Sequence, residues 1–256
     1  MAQREPRELT VIESKRITTN MHRITLGGKG MSNFPEDHEG GYVKLIFPQP
    51  DGERPITRTY SVCNQRENQI DIDFVLHGDG GPASRWAVDC RVGETIMAGG
   101  PGPKTLVDDQ ADWFLLAGDM TALPAISANI KQLPAEAIGY MVIEVIDEAD
   151  IQPLSMPVGF EVKWLVNPKP GENAKLLSDY VRSLPWLDGQ PSVWVACEFN
   201  CMRNLRDYLR TERQLSRDNL YISSYWKHGS SEDSHRDAKR ADAKAFLKFR
   251  VKAFTD

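Results

Sequence analysis

The hydrophobic pattern of this chain changes character once, at Gly99-Gly100-Pro101-Gly102-Pro103, a run rich in residues that weaken strands and helices alike. Before it, short apolar runs recur at Leu9 to Ile12, Met21 to Leu26, Tyr42 to Phe47, Arg58 to Cys63, Ile70 to Leu76 and Thr95 to Met97, punctuated by Gly, Pro and Asn. That spacing predicts a small antiparallel barrel, interrupted by one brief helix that opens at Pro82, where proline suits a first turn. After the break, Trp113 to Gly118, Gly139 to Ile146, Glu161 to Val166 and Pro191 to Ala196 are buried-strand segments. Helical stretches lie at about Ala122 to Lys131, Asn173 to Ser183 and Asn200 to Arg213. Buried strands alternating with helices predict a mostly parallel sheet covered by helices. The expected fold class is β + α/β, an antiparallel barrel over residues 1–108 followed by a parallel-sheet domain over residues 109–256.

A chain of 256 residues can bury such cores without disulfides or a structural metal. Its net charge of -5 argues against a nucleic-acid partner, but says little about small anions, which respond to local charge. The start, M-A-Q-R-E-P-R-E-L, lacks an apolar signal region, and no stretch approaches the length of a membrane span, so a cytoplasmic protein with no membrane partner is expected. Cys63, Cys90, Cys197 and Cys201 form no C-x-x-C pair and have no histidine cluster beside them. Free thiols and no metal site are expected. Monomer is the default state.

The richest chemistry lies between Arg58 and Ala87. In Arg58-Thr59-Tyr60-Ser61, strand alternation puts Arg58 and Tyr60 on one face and Thr59 and Ser61 on the other. A guanidinium can pair with phosphate oxygens, a phenol can lie against a flavin ring, and a serine hydroxyl can reach a ring nitrogen. An ordinary strand with one exposed arginine is the alternative. The next element is Gly80-Gly81-Pro82-Ala83-Ser84, where glycines admit close backbone approach and a helix N-terminus attracts an anion. One ligand bridging both elements would carry an aromatic ring and a pyrophosphate, as FAD does. Asp73, Phe74, Val75 and His77 lie on the strand between, where backbone groups and His77 can hold an adenine; His77 also fits a structural role.

In the second half, Gly118-Asp119-Met120-Thr121-Ala122 follows the first parallel strand, at the end where α/β sheets bind ligands. The Thr121 hydroxyl can approach a nicotinamide or flavin ring, or cap the following helix. Glu198, ending another strand, can touch a carboxamide or ribose. Glu144 and Asp147 stand where a 2′-phosphate site would favour arginine, which leans toward NADH, although Lys169 and Arg203 can fold back to the same region. Near the C-terminus Arg236, Arg240, Lys244, Lys248 and Lys252 recur every four residues, and the middle three share one helix face. This is either a solvated face or, with Lys227 and Lys44, a landing surface for an anionic substrate.

Taken in order, R-T-Y-S-V, H-G-D-G-G-P-A-S-R-W-A, A-G-D-M-T-A-L-P-A-I, V-W-V-A-C-E and Y-W-K-H-G-S-S-E-D resemble the siderophore-interacting protein family of flavin-dependent ferric-siderophore reductases. The resemblance implies an N-terminal FAD-binding β-barrel and a C-terminal NAD(P)H-binding domain of ferredoxin-reductase-like type. It implies that Arg58, Thr59, Tyr60 and Ser61 form the flavin strand, Asp73 to His77 the adenine side, and Gly80 to Ser84 the pyrophosphate turn. Gly118 to Ala122 with Glu198 would form the nicotinamide side, and Trp226 an aromatic near the flavin. Tyr60, Ser61 and Thr121 are then the candidate catalytic residues, and a ferric siderophore the substrate. Cys197 departs from the family pattern, where glycine is usual, and Met120 replaces a residue often acidic. The other readings are a flavoprotein passing electrons to a protein such as ferredoxin, and a non-catalytic siderophore carrier.

Overall fold

The computed structural model describes residues 5–49, 53–76 and 81–253, with side chains as far as Phe246. Six strands close a barrel: β1 (Arg7–Thr18), β2 (Met21–Gly27), β3 (Tyr42–Phe47), β4 (Ile56–Arg66), β5 (Gln69–Val75) and β6 (Thr95–Gly102). They run in the order β1-β2-β5-β4-β3-β6, and β6 pairs back onto β1. Every pairing is antiparallel. Closure removes the sheet edges, and alternate residues such as Leu9, Val11, Ile24, Leu26, Val43 and Leu45 fill the interior. Each such side chain contributes roughly 1.5–3 kcal/mol of burial. The helix α1 (Pro82–Asp89) adds Ala83 and Ala87 to this core.

The Gly-Pro run does not end a strand before Gly99, as its composition suggests; β6 continues through it to Gly102. A Cβ on Gly102 would lie 2.0 Å from Tyr42 Cζ, so the missing side chain lets that ring lie against the strand.

The second half builds a parallel sheet from β7 (Trp113–Asp119), β8 (Ile138–Val145), β9 (Gly159–Val166), β10 (Pro191–Glu198) and β11 (Leu220–Trp226), in the order β11-β10-β7-β8-β9. The helix α2 (Leu123–Ile130) packs on one face, and α3 (Leu176–Ser183) and α4 (Phe199–Asp207) on the other. α3 begins three residues later than expected, while a π-turn at Tyr208–Glu212 carries α4 close to the expected end. β11 is not among the expected strands, although L-Y-I-S-S-Y-W is rich in β-forming residues. After it comes α5 (Glu232–Ala253).

The barrel and the sheet are joined by a buried carboxylate. Asp150, wholly buried, accepts from Thr18 Oγ1 (2.7 Å), Asn20 N (2.8 Å), Asn20 Nδ2 (2.8 Å) and Asp147 N (3.1 Å). Across the same junction Lys131 Nζ donates to Glu39 Oε2 (2.7 Å) and Asn64 Oδ1 (2.8 Å), and Met21 is buried among the side chains of the parallel sheet. These contacts fix where β4 meets the carboxyl ends of the parallel strands.

Candidate functional site

The strand expected to meet a flavin is β4, and its register with β3 sets Tyr60 opposite Val43 and Thr59 opposite Lys44. Tyr60 packs on the fully buried Phe74, ring centroids 4.4 Å apart, and Phe74 in turn contacts Trp86 of α1 at 5.8 Å. Burial pushes the Tyr60 phenol well above its ordinary range, so it stays protonated at neutral pH. Phe74 therefore acts as a floor under Tyr60, and its side chain is not a ligand contact. Asp73 is similarly spent: Arg23 grips its carboxylate through Nε (2.6 Å) and Nη2 (2.7 Å). Only the backbone of Asp73, Phe74 and Val75 is left for the adenine role expected of them. His77 and Gly80 lie outside the described residues.

At the start of α1, Gly81 is the N-cap, and among the described residues no side chain caps the helix. A Cβ placed on Gly81 would meet nothing within 4 Å. Pro82 follows in the first turn, Ala83 points into the barrel core, and Ser84 Oγ donates to Val75 O (3.3 Å), pinning the helix start to the end of β5. The uncapped N–H groups and the helix dipole form an anion-attracting end beside that strand.

Across the junction, β11 brings Tyr225 and Trp226 to β4. Tyr225, whose phenol burial pushes far up, has the Ser61 and Tyr221 hydroxyls as neighbours. Trp226 Nε1 donates to Asp119 Oδ2 (2.8 Å), while Thr121 donates to Asp119 Oδ1 through both its backbone N (2.9 Å) and its hydroxyl (2.5 Å). Trp226 and Thr121 are thus joined through Asp119, with Tyr225 and its neighbour Ser61 beside them at the junction. Thr121 is not the N-cap of α2, which is Ala122, and its proton is committed to Asp119. Burial raises the Asp119 carboxyl, against these hydrogen bonds.

Gly118 serves packing. A Cβ there would stand 2.6 Å from Ala196 O and 2.7 Å from Ala122 Cβ, so α2 approaches the sheet only over a glycine. Glu198, 4 % exposed, is the N-cap of α4: Oε2 accepts from Asn200 N (2.5 Å) and Cys201 N (3.2 Å), and Oε1 from His228 N (3.2 Å). Its oxygens are occupied by backbone donors, which leaves it a wall of the site.

Glu198, Asp119, Glu144, Cys197 and Cys201 line a void of about 10 Å³ at the carboxyl end of the sheet. It is of one-water size, so a dinucleotide would lie across its mouth and not inside it. Burial pushes the Glu144 carboxyl up to about 7, against the Asn167 hydrogen bond (2.9 Å), and the charges of Asp119 and Glu198 add to the rise. Lys169 pairs with Glu172 (3.5 Å) and Arg203 with Asp242 (3.1 Å), so neither folds back toward Glu144, while Asp147 caps the short turn Glu148–Asp150. Among the described residues no group of three or more His, Cys, Asp or Glu is arranged to hold a metal ion. A larger cavity of about 270 Å³ lies at the opposite end of the sheet, by Ser192 and Leu220, away from the carboxyl ends where such sheets bind ligands.

The expected docking lysines are dispersed. Lys44 is exposed on β3, and Lys227 lies 5.1 Å over the Phe199 ring. Lys244 is exposed on α5, twelve residues and about 18 Å of helix beyond Glu232. The side chains of Lys248 and Lys252 lie outside the described residues. Arg236 and Arg240 pair with Asp233 (3.0 Å) and Asp237 (3.9 Å) on their own helix, which reduces the charge of the stripe.

A family model described as "Siderophore-interacting FAD-binding domain" matches residues 10–53 and 49–105, and one described as "Siderophore-interacting protein" matches 111–229. The chain is 34% identical over 255 residues to the ferric vibriobactin reductase ViuB of Vibrio cholerae, covering 91% of this chain and 94% of that one. It is 27% identical to the NADPH-dependent ferric-chelate reductase of Escherichia coli, covering 86% and 92%. Among solved structures, the siderophore-interacting protein SipS from Aeromonas hydrophila superposes with a TM-score of 0.84 at 34% identity, covering 94% of this chain and 98% of that one.

Proposed function

The chain belongs to the siderophore-interacting protein family, and from that premise and the site geometry we infer that it is an FAD-dependent reductase that takes electrons from NAD(P)H and reduces the iron of ferric siderophores. The observation that carries the reading is the seam where β4 of the barrel meets β11 and β7 of the sheet, with Trp226 and Thr121 joined through Asp119 and Tyr225 beside Ser61. That seam joins the FAD half to the nicotinamide half.

The residues present fit FAD. Arg58 and the start of α1, at Gly81 to Ser84, would hold the pyrophosphate, and the backbone of Asp73 to Val75 would serve the adenine side. Tyr60, propped on Phe74, would support the isoalloxazine, and Trp226 is positioned by Asp119. Ser61, a neighbour of the Tyr225 phenol, would offer its hydroxyl to the ring edge. FAD, when bound, supplies acceptance of hydride and release of single electrons. Thr121 acts through Asp119 as a positioning residue. Siderophore oxygens are hard donors suited to Fe(III), so reduction loosens the chelate and frees Fe(II).

The donor we infer is NADH in preference to NADPH. Glu144 and Asp147 stand at the end of β8, and the nearby cations Lys169 and Arg203 are engaged elsewhere, so a 2′-phosphate would meet carboxylates without a guanidinium partner. Among the described residues no helix is long and apolar enough to cross a membrane. We place the protein in the cytoplasm as a monomer, where NAD(P)H is available and its four buried, unpaired cysteines stay reduced. The two halves divide at residues 108 and 109.

Anaerobic stopped-flow tests the reading. Mixed with NADH, the yellow protein should bleach at the flavin band faster than with NADPH, and ferric siderophore should restore the colour in single-electron steps. Bleaching by reduced ferredoxin alone would overturn the nicotinamide donor, and a colourless preparation that takes up no FAD would overturn the reductase.

A further inference from the structure

Glu232 opens α5, yet its carboxylate lies on the cofactor strand of the barrel. Oε2 is 3.7 Å from Arg58 Nε, and Oε1 accepts from Thr59 Oγ1 at 3.3 Å. Lys44, opposite Thr59 on β3, faces the same carboxylate. Glu232 thus sits on a cationic cluster of the kind that an anionic ligand group would seek.

Its attachment allows it to leave. Five residues connect it to Trp226 at the end of β11, among them Gly229 at φ 67° with nothing within 4 Å of a Cβ position. Beyond Glu232, α5 is fastened to the sheet and not to the barrel: His235 Nε2 lies 2.8 Å from Ser224 Oγ, and Lys239 Nζ donates to Ser223 Oγ (2.7 Å) and Ser224 O (3.1 Å). The first turn can swing off the barrel while the body of the helix stays docked.

We propose that Glu232 is an internal competitor for the phosphate-binding cation Arg58, so that flavin binding transfers Arg58 from this carboxylate to the pyrophosphate and releases the first turn of α5 from the barrel. The proposal rests on the reading of Arg58 as a pyrophosphate contact. Two anions held on one cationic cluster repel each other, so cofactor and carboxylate weaken each other by the same factor. The groups facing the Glu232 carboxyl are Arg58 and Thr59 from β4, Lys44 from β3 and Asp233 from its own helix. Burial holds that carboxyl above its ordinary value, against the pull of Arg58, Thr59 and Lys44. As pH falls through its titration, the competitor is neutralised and flavin binding tightens.

The test is FAD titration of the flavin-stripped full chain, followed by flavin fluorescence at pH 8 and pH 5.5, for the native chain and for Glu232→Gln, Glu232→Asp and Arg58→Ala. Glu232→Gln should bind FAD about two- to five-fold more tightly at pH 8, the range an exposed ion pair supports, and the advantage should shrink at pH 5.5. Glu232→Asp, with a shorter reach, should fall between. Hydrogen exchange of residues 232–234, ahead of the docked His235, should rise on flavin binding in the native chain and stay level in Glu232→Gln. Arg58→Ala should weaken FAD at both pH values. If Arg58→Ala weakens FAD while Glu232→Gln binds it no more tightly than the native chain, the competitor is overturned and the Arg58 reading survives. If Arg58→Ala changes nothing, the Arg58 reading itself fails, and the competitor with it.

Discussion

Acidification should unclip α5 through one buried ring. His235 is 5 % exposed, its Nε2 lies 2.8 Å from Ser224 Oγ, and its ring stands edge-on to Phe199 at 6.1 Å. Burial, with Lys239 and Lys227 nearby, lowers its pKa from 6.5 to about 4. A histidine depressed in the docked state contributes stability that is present above 6.5 and is lost as pH falls toward 4, because the undocked ring takes the proton first. Between pH 7 and pH 5 the undocked form therefore gains by about 20-fold, roughly 2 kcal/mol, the linkage that follows from titration at 6.5 in one state and about 4 in the other. The same arithmetic applies to local release of α5, since that is the opening that wets the ring. The assay is hydrogen exchange of the amides from Asp233 to Phe246 at both pH values, corrected for intrinsic exchange rates. His235→Gln, which keeps a hydrogen-bonding group near Ser224 but cannot titrate, should remove most of the pH dependence. Protection that is equal at pH 7 and pH 5 in the native chain, or the same fall in both proteins, would refute the reasoning.

Asp150→Ala strands donors from Thr18, Asn20 and Asp147 at the junction between barrel and sheet, and should cost about 3–5 kcal/mol, read as a lowered urea midpoint. An unchanged midpoint would mean that the joint is wet and contributes little. Gly118→Ala drives a methyl group onto Ala196 O and Ala122 Cβ, neither able to yield without moving backbone, and should cost about 1–3 kcal/mol and lower the rate of flavin reduction by NADH; native stability in thermal unfolding would contradict it. Replacing Lys244, Lys248 and Lys252 together with alanine should raise the apparent KM for an anionic ferric siderophore several-fold while leaving bound FAD intact, and unchanged kinetics with unchanged salt dependence would remove the stripe from substrate docking.

Much of the architecture was legible in residue order. The change of period near Gly99 separated a barrel from a parallel sheet because strands with one buried face alternate and strands buried on both faces do not. β11 is less legible despite its aromatic and β-branched composition, since Ser223 and Ser224 interrupt its apolar run. The motifs R-T-Y-S and G-G-P-A-S marked a cation, a ring and a helix start that can meet one ligand, and these lie on β4 and at the head of α1.

The sequence by itself determined the two-part fold and, through its ordered motifs, the kind of cofactor, because periodicity, turn residues and helix starts are local properties of the chain. Only the tertiary structure decided which polar groups are free to act. Asp73 answers to Arg23, Glu198 to the first N–H groups of α4, Thr121 to Asp119, and the basic stripe partly to its own acids. Arg58 meets Glu232 from 174 positions away in the chain, a contact no local spacing announces. Strand and helix periods fix the face a side chain points from, but its partner is set by how distant elements pack, and that partner decides whether a carboxylate or hydroxyl is left for chemistry.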